Sequence, residues 1–293
     1  MPEEDPRIIE LRSMREKSRQ GGGVDRIAKQ HAKNKLTARE RIDLLLDPGT
    51  FQETEPFVTM RDDETNHSEK TLGDGVVTGY GLVNGQRVYV YAQDFTVQGG
   101  ALGEMQSHKI CRVMDLAVQS GAPIIGMIDS GGARIQEGVL SLGGYAEIFK
   151  RNSQYSGIVP QISLILGPCA GGAAYSPALT DMIIMVEKQS YMFLTGPEVI
   201  KSVTGEVVDF ESLGGAQTHH CVSGLATLTS DSEKNALALT RRVLSYLPAN
   251  NVENPPAVPC DDDPNRMDEE LNHLVPVDPS LPYSMHEAIQ HII

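Results

Sequence analysis

Two short stretches of the chain combine residue types that can do chemistry without a catalytic side chain. Asp129-Ser130-Gly131-Gly132-Ala133-Arg134 follows the apolar run "APIIGMI", and "GPCAGGAAY", from Gly167 to Tyr175, follows "QISLIL". Each joins the end of an expected buried strand to paired glycines, an alanine and the expected start of a helix. Glycine lets a ligand approach the main chain with no Cβ in the way. A helix that begins at such a turn leaves its first N–H groups unpaired and carries a partial positive charge there. Two such ends side by side can donate to one developing oxyanion, such as the enolate oxygen of a thioester, and losing one donor typically costs about 10²–10³ in rate. A single Gly-Gly also serves as a tight turn for strand–helix packing. Repetition at two strand ends is what favours a site.

Other chemistries find no support. The chain has no G-x-x-x-x-G-K-[ST] and no G-x-G-x-x-G after a strand, so neither phosphate-binding loop is expected. Without a G-x-S-x-G elbow, Ser130 is a weak nucleophile candidate. No H-E-x-x-H occurs, and the adjacent His219 and His220 point apart, so they read as ordinary polar positions and no metal is expected. Cys111, Cys169, Cys221 and Cys260 form no C-x-x-C pair, which excludes a zinc ribbon or redox dithiol and suits a reduced, cytoplasmic compartment.

The elements that must position these stretches follow from pattern. The chain has 293 residues, 40% hydrophobic and 22% charged, with no apolar run long enough to span a membrane. It opens on "MPEEDPRIIE", which is not a signal peptide. Net charge is −14, against a general nucleic-acid binder. Of 25 Lys/Arg and 39 Asp/Glu, the first fifty residues hold 11 and 9, so only the N-terminal arm is slightly basic. It could be a solvated amphipathic helix or a site for an anionic ligand. Residues 1–24 read as a flexible leader ending in Gly21–Gly23, and one helix is expected from Asp25 to about Leu46, stopped by "DPGT". "GDGVVTGYGLVNGQRVYVYAQD" reads as a hairpin turning at Asn84-Gly85. Strands and helices then alternate to Pro248, ending in a helix capped by Asp231 or Ser232, which argues α/β with mostly parallel pairing. The main domain is therefore 25–248. Residues 249–283, rich in Pro, Asp and Asn, read as a linker, and the apolar "MHEAIQHII" at 284–293 reads as the start of a second domain.

The run from "DSGGARIQEGVLSLGGYAEIF" to "GPCAGGAAYSPALTDMIIMV" resembles the carboxyltransferase subunits of biotin-dependent acyl-CoA carboxylases, above all the propionyl-CoA carboxylase β subunit and transcarboxylase large subunit family. "KLTARERIDLLLDPGTF", "GDGVVTGYGLVNGQRVYVYAQDFTVQGGALGE", "MFLTGPEVIKSVTGE" and "LGGAQTHH" extend the likeness from about Gly21 to Ile293, corresponding to the N-terminal half of such a subunit. The resemblance implies a crotonase/ClpP-like α/β domain of stacked ββα units with an N-terminal helical arm. It implies that Gly132, Ala133, Gly171 and Gly172 supply backbone donors to an acyl-CoA thioester oxygen, and that Lys35, Arg39 and Arg41 sit near the CoA phosphates. It further implies a second carboxyltransferase domain holding carboxybiotin, biotin carboxylase and biotin carrier subunits, and a homo-oligomer whose site forms between the first domain of one subunit and the second of its partner. The chemistry implied is enolate attack on CO₂ released from carboxybiotin, with no protein general base. The compartment implied is the cytoplasm, or the mitochondrial matrix in a eukaryote. Two other readings share the site: a decarboxylase of malonyl- or methylmalonyl-type CoA esters, and a CoA-binding scaffold inactive alone. Two departures stand out. Thr227 occupies a position where the family often has His, and the four-cysteine zinc ribbon of some acetyl-CoA carboxylase β subunits is absent.

Overall fold

The structure, a computed structural model, describes residues 5–61, 70–263 and 265–293; residues 1–4 of the expected leader and Pro264 of the expected linker lie outside it. The chain divides into two compact units, Met1–Pro256 and Ala257–Ile293.

The expected leader carries a helix over Pro6–Arg19. Asp5 caps α1 (Pro6–Arg19) by accepting the Arg7 N–H. The single helix expected over Asp25–Leu46 is instead two, α2 (Val24–His31) and α3 (Ala38–Leu45). A turn with Asn34 at φ 56° separates them, and Thr37 restarts the helix through a capping box with Glu40. The "T-A-R-E" signature that breaks the helix is present in the sequence, but the apolar period continues across it.

One mixed sheet forms the centre. Its strands are β1 (Gln52–Thr54), β2 (Val76–Val83), β3 (Gln86–Gln93), β4 (Ile124–Ser130), β5 (Gln161–Ala170), β6 (Met182–Val186), β7 (Tyr191–Phe193) and β8 (Leu228–Ser230). The order is β1-β2-β3-β4-β5-β6-β8, with β7 paired to β5. β1, β2 and β3 pair antiparallel, and every pairing from β3 onward is parallel. Asn84 and Gly85, at φ 52° and 81°, make the hairpin turn the sequence predicts.

Helices cover both faces. On one lie α4 (Glu104–Gln119) and α5 (Val139–Tyr155), packed through Ile110, Met114, Tyr145 and Ile148. On the other lie α3 and α9 (Glu233–Leu244), packed through Ile42, Leu45, Leu237 and Leu244, with the short α7 (Pro197–Thr204) and α8 (Phe210–Gly214) preceding α9 in the chain. Strand β4, buried throughout, shows how alternation assigns its side chains. Ile124 and Ile128 belong to the α4/α5 layer, and Ile125 and Met127 to the α3/α9 layer. Asp129 continues the second series and Ser130 the first. Within the second unit, which holds α10 (Leu271–Leu274) and α11 (Met285–Ile292), His291 of α11 meets Asp268, just before α10, with Nδ1 and Oδ2 2.7 Å apart.

Lys109 ties α4 to the turn before β2. It is buried and donates to the carbonyls of Gly73 and Val76 at 2.9 and 2.6 Å. Burial pushes its pKa down to about 8, against the pull of Glu53, Asp74 and Glu55. The folded state therefore binds fewer protons than the unfolded chain between pH 8 and the ordinary lysine range, and stability rises with pH across that window. The slope from this group approaches about 1.4 kcal/mol per pH unit. Urea unfolding at pH 8.0 and 9.5 should show that rise in the native protein and its loss in Lys109→Met; equal slopes in both would contradict it.

Candidate active site

Parallel pairing of β4 with β5, with Ser130 opposite Cys169, brings the two glycine stretches together at the carboxyl ends of neighbouring strands. After β4 the chain turns at Gly132, at φ 109°, where a Cβ would lie 2.9 Å from the Ala170 carbonyl oxygen at the end of β5. After β5 it turns at Gly171, at φ 59° and ψ −126°, a conformation open to glycine, and enters α6 (Gly172–Ala178). A Cβ on Gly172 would meet the Tyr145 ring at 2.8 Å. These glycines are thus required by protein packing as well as by any ligand, and a bulky residue at Gly132 or Gly172 would disturb the fold itself.

The N–H groups divide cleanly. Gly131 donates to the Gly99 carbonyl at 3.0 Å, Gly132 to Ser130 Oγ at 3.2 Å, and Gly171 to the Phe193 carbonyl at 3.0 Å. The Ala133 and Gly172 N–H groups have no acceptor among the described residues. The four residues the sequence singled out are therefore brought together, and two of them carry open donors: Ala133 beyond β4, and Gly172 at the positive end of α6. Leu102, just before α4, holds the first turn by accepting the Arg134 N–H and donating to the Gly132 carbonyl, each at 2.9 Å. Arg134, 1% exposed, bridges Asp74 at 2.9 Å and Glu137 at 2.6 Å.

Beneath this turn lies a closed set of buried charges. Asp129 Oδ1 accepts from Lys35 Nζ at 2.7 Å, and Oδ2 accepts from Gln30 Nε2 at 3.2 Å and forms an ion pair with the Arg41 guanidinium at 2.9 Å. Arg41 also grips Glu233 with two bonds of 2.7 and 2.9 Å and donates to the Leu166 carbonyl at 3.1 Å. Arg41 and Asp129 are wholly buried. Burial alone would lower the Arg41 pKa, but Asp129 and Glu233 outweigh it and hold it above its ordinary value. Burial prevails at Lys35, whose pKa is lowered despite Asp129. Two cations and two carboxylates make the set neutral.

The three basic residues expected near CoA phosphates are accordingly committed to carboxylates. Lys35 and Arg41 meet at Asp129, while Arg39 lies apart, bound to Glu53 at 2.8 Å and to the Ser18 carbonyl. Other basic side chains of the arm are placed to meet a ligand. A cavity of about 320 Å³ is lined by Arg26, Lys29, Lys33, Phe95 and Gly99. Gly99 is the residue that receives the Gly131 N–H, so the cavity adjoins the glycine turns. Lys35 reaches its edge through Phe95, over whose ring Nζ stands at 4.7 Å. The helical spacing of Arg26, Lys29 and Lys33 was the available signal for them. For Asp129 it was a carboxylate ending an otherwise apolar strand.

His219 and His220 bond to the main chain, at the Met192 carbonyl (2.7 Å) and the Ala226 carbonyl (3.0 Å). The Thr227 hydroxyl accepts the Ile183 N–H at 3.2 Å, which gives it a place at the edge of β6. Among the described residues no group of three or more His, Cys, Asp or Glu could hold a metal ion, and no helix is long and apolar enough to cross a membrane.

Residues 29–293 match the carboxyl transferase domain family. The chain is 57% identical over 290 residues to the carboxyltransferase subunit of propionyl-CoA carboxylase from Haloferax mediterranei, which covers 99% of this chain and 56% of that protein. It is 54% identical over 288 residues to subunit alpha of methylmalonyl-CoA decarboxylase from Propionigenium modestum, covering 98% of this chain and 56% of that one. Among solved structures, transcarboxylase 12S, a hexamer with methylmalonyl-coenzyme A and methylmalonic acid bound, superposes with a TM-score of 0.88 at 45% identity, covering 98% of this chain and 56% of the other. The chain spans just over half the length of the relatives it matches.

Removing one of the two cations from the buried set should be costly. Arg41→Met leaves Asp129 and Glu233 undercompensated, for an expected loss of about 3–5 kcal/mol in chemical denaturation. Adding Glu233→Gln should restore part of that loss, as expected for residues of one network. Strictly additive losses would show that the set is not coupled.

Proposed function

Because the chain belongs to the carboxyl transferase domain family, whose crotonase-like α/β fold it shares, we propose that it is the acyl-CoA half of a biotin-dependent carboxyltransferase. The observation that carries this reading is the pair of open donors, Ala133 and Gly172, on adjoining strand ends. They donate to the thioester oxygen of an acyl-CoA of the propionyl or acetyl type and strengthen their hold as it becomes an enolate oxygen. Arg26, Lys29 and Lys33 receive the CoA phosphates at the adjoining cavity, with Phe95 as an apolar wall. Lys35, Arg39 and Arg41 serve as positioning residues for the arm and the glycine turn.

Biotin, when delivered by its carrier, supplies the carboxyl group and the base. The chain's own residues hold the thioester, and its two adjoining donors suffice for one carbonyl oxygen. The biotin carbonyl must be held by a second carboxyltransferase domain. A surface for that domain adjoins the site: Ile135 and Val139 are 88% and 80% exposed just after the Arg134 turn, with Leu140 and Leu142 also exposed. Biotin carboxylase and biotin carrier subunits complete the assembly, and the hexamer of the transcarboxylase relative supports a homo-oligomer. The decarboxylase relative supports a second reading, in which the same donors stabilise the enolate left when a malonyl- or methylmalonyl-type ester gives its carboxyl group to biotin.

Calorimetry tests the substrate class. Propionyl-CoA should bind and propionate should not, and Arg26→Gln/Lys29→Gln/Lys33→Gln should weaken propionyl-CoA by at least about tenfold, as expected when a phosphate site loses its cations. Equal binding of both ligands, or none of propionyl-CoA, would contradict the proposal. Carboxyl transfer from a carboxylated biotin carrier should be undetectable with this chain alone and appear when the second domain is supplied, since holding both reactants in place accounts for about 7–11 kcal/mol of barrier reduction in well-oriented cases. Robust turnover by the chain alone would overturn the division of labour.

A further inference from the structure

Helix α5 carries a buried polar group that the proposed mechanism does not use. Tyr145 is 4% exposed, and its hydroxyl is enclosed with no closed hydrogen bond among the described residues. Leaving a buried hydroxyl unmatched is unfavourable, and phenylalanine would fill the same space without it. Stability alone therefore does not account for tyrosine here.

Its position does. The main chain at Gly172 rests on the Tyr145 ring, since an added Cβ would fall 2.8 and 2.9 Å from Cδ2 and Cε2. Phe149 backs the ring, centroids 5.8 Å apart and planes inclined by 28°. Burial pushes the phenol pKa up, and the one opposing influence is the hydroxyl of Ser130, which alternation along β4 sets in the same layer as the Tyr145 ring. Ser130 Oγ accepts the Gly132 N–H at 3.2 Å. Among the described residues its own proton reaches the Gly132 carbonyl at 3.5 Å, too long for a strong bond. One side chain thus touches the Gly172 turn through its ring and carries an unpaired hydroxyl in the layer that Ser130 enters at the other turn.

We propose that Tyr145 is a positioning residue that sets the spacing of the Ala133 and Gly172 donors: the ring fixes Gly172, and the hydroxyl, paired with Ser130, fixes the turn that presents Ala133. This rests on the reading that those donors bind a thioester oxygen. The Tyr145–Ser130 contact closes when that oxygen is bound, as catalytic hydrogen bonds that are long in a free enzyme tighten around their ligand.

The test uses propionyl-CoA labelled with carbon-13 at the thioester carbonyl. Infrared difference spectra report how strongly that carbonyl is hydrogen-bonded in native protein, Tyr145→Phe and Tyr145→Leu. The native protein should shift the carbonyl band to lower frequency, Tyr145→Phe should lose half or more of the shift, and CoA affinity should change less than about twofold, because the contacts to CoA are untouched. In the assembly with the second domain, kcat for Tyr145→Phe should fall about tenfold with KM for propionyl-CoA held, the signature of an interaction made in the transition state. Tyr145→Leu should lose more in both, and if it fails to fold Tyr145→Phe decides alone. A full band shift and unchanged kcat in Tyr145→Phe would overturn the role of Tyr145 while leaving the thioester site standing. No band shift in the native protein would overturn both.

Discussion

The structure turns on one carboxylate. Asp129 is the last residue but one of a strand buried on both faces, and alternation along β4 aims it into the layer of α3 and α9. An ionised carboxylate taken out of water costs several kcal/mol even after relaxation, and it persists only if paired and hydrogen-bonded. Lys35, Arg41 and Gln30 supply that pairing, and all three come from the N-terminal arm. The arm is therefore part of the domain. It closes a charge set whose fourth member, Glu233, begins the helix that covers the same face of the sheet. Arg41 reaches Asp129, Glu233 and the Leu166 carbonyl together, and so locks β4, β5, α3 and α9 in one arrangement.

That arrangement bears on the chemistry above it. The residue after Asp129 enters the glycine turn, so a bare negative charge there would oppose any anion forming at Ala133 and Gly172. At short range in a medium of low effective dielectric such repulsion reaches several kcal/mol. With Lys35 and Arg41 in place the set is neutral, and the field at the turns is that of the N–H donors and the end of α6. This explains how a site can stabilise an oxyanion with no acid or base side chain of its own: its contribution is placement and fixed dipoles.

Much of this was legible in the sequence where local rules and the global fold agree. The hairpin at Asn84-Gly85, the buried strands before each glycine pair and the meeting of those pairs followed from turn chemistry and alternation. The split of the first domain helix did not, because the apolar period carries through residues 32–37 and only the Thr37–Glu40 capping box marks the break. The roles of Lys35, Arg39 and Arg41 were hidden for another reason. A basic residue on an amphipathic helix looks alike whether it faces water, a phosphate or a buried carboxylate, and Asp129 and Glu233 lie 88 and 192 residues from Arg41. Such pairing is fixed by tertiary structure alone. Tyr145 was concealed likewise, since aromatic residues at helical spacing usually signal core.

The central claim is that two main-chain donors at neighbouring strand ends hold the thioester oxygen. A crystal structure of the chain with propionyl-CoA tests it most directly. The account predicts that oxygen within about 2.7–3.1 Å of both the Ala133 and Gly172 nitrogens, with the CoA phosphates toward Arg26, Lys29 and Lys33. A thioester oxygen bound by Ser130 or solvent, with both nitrogens unengaged, would contradict it.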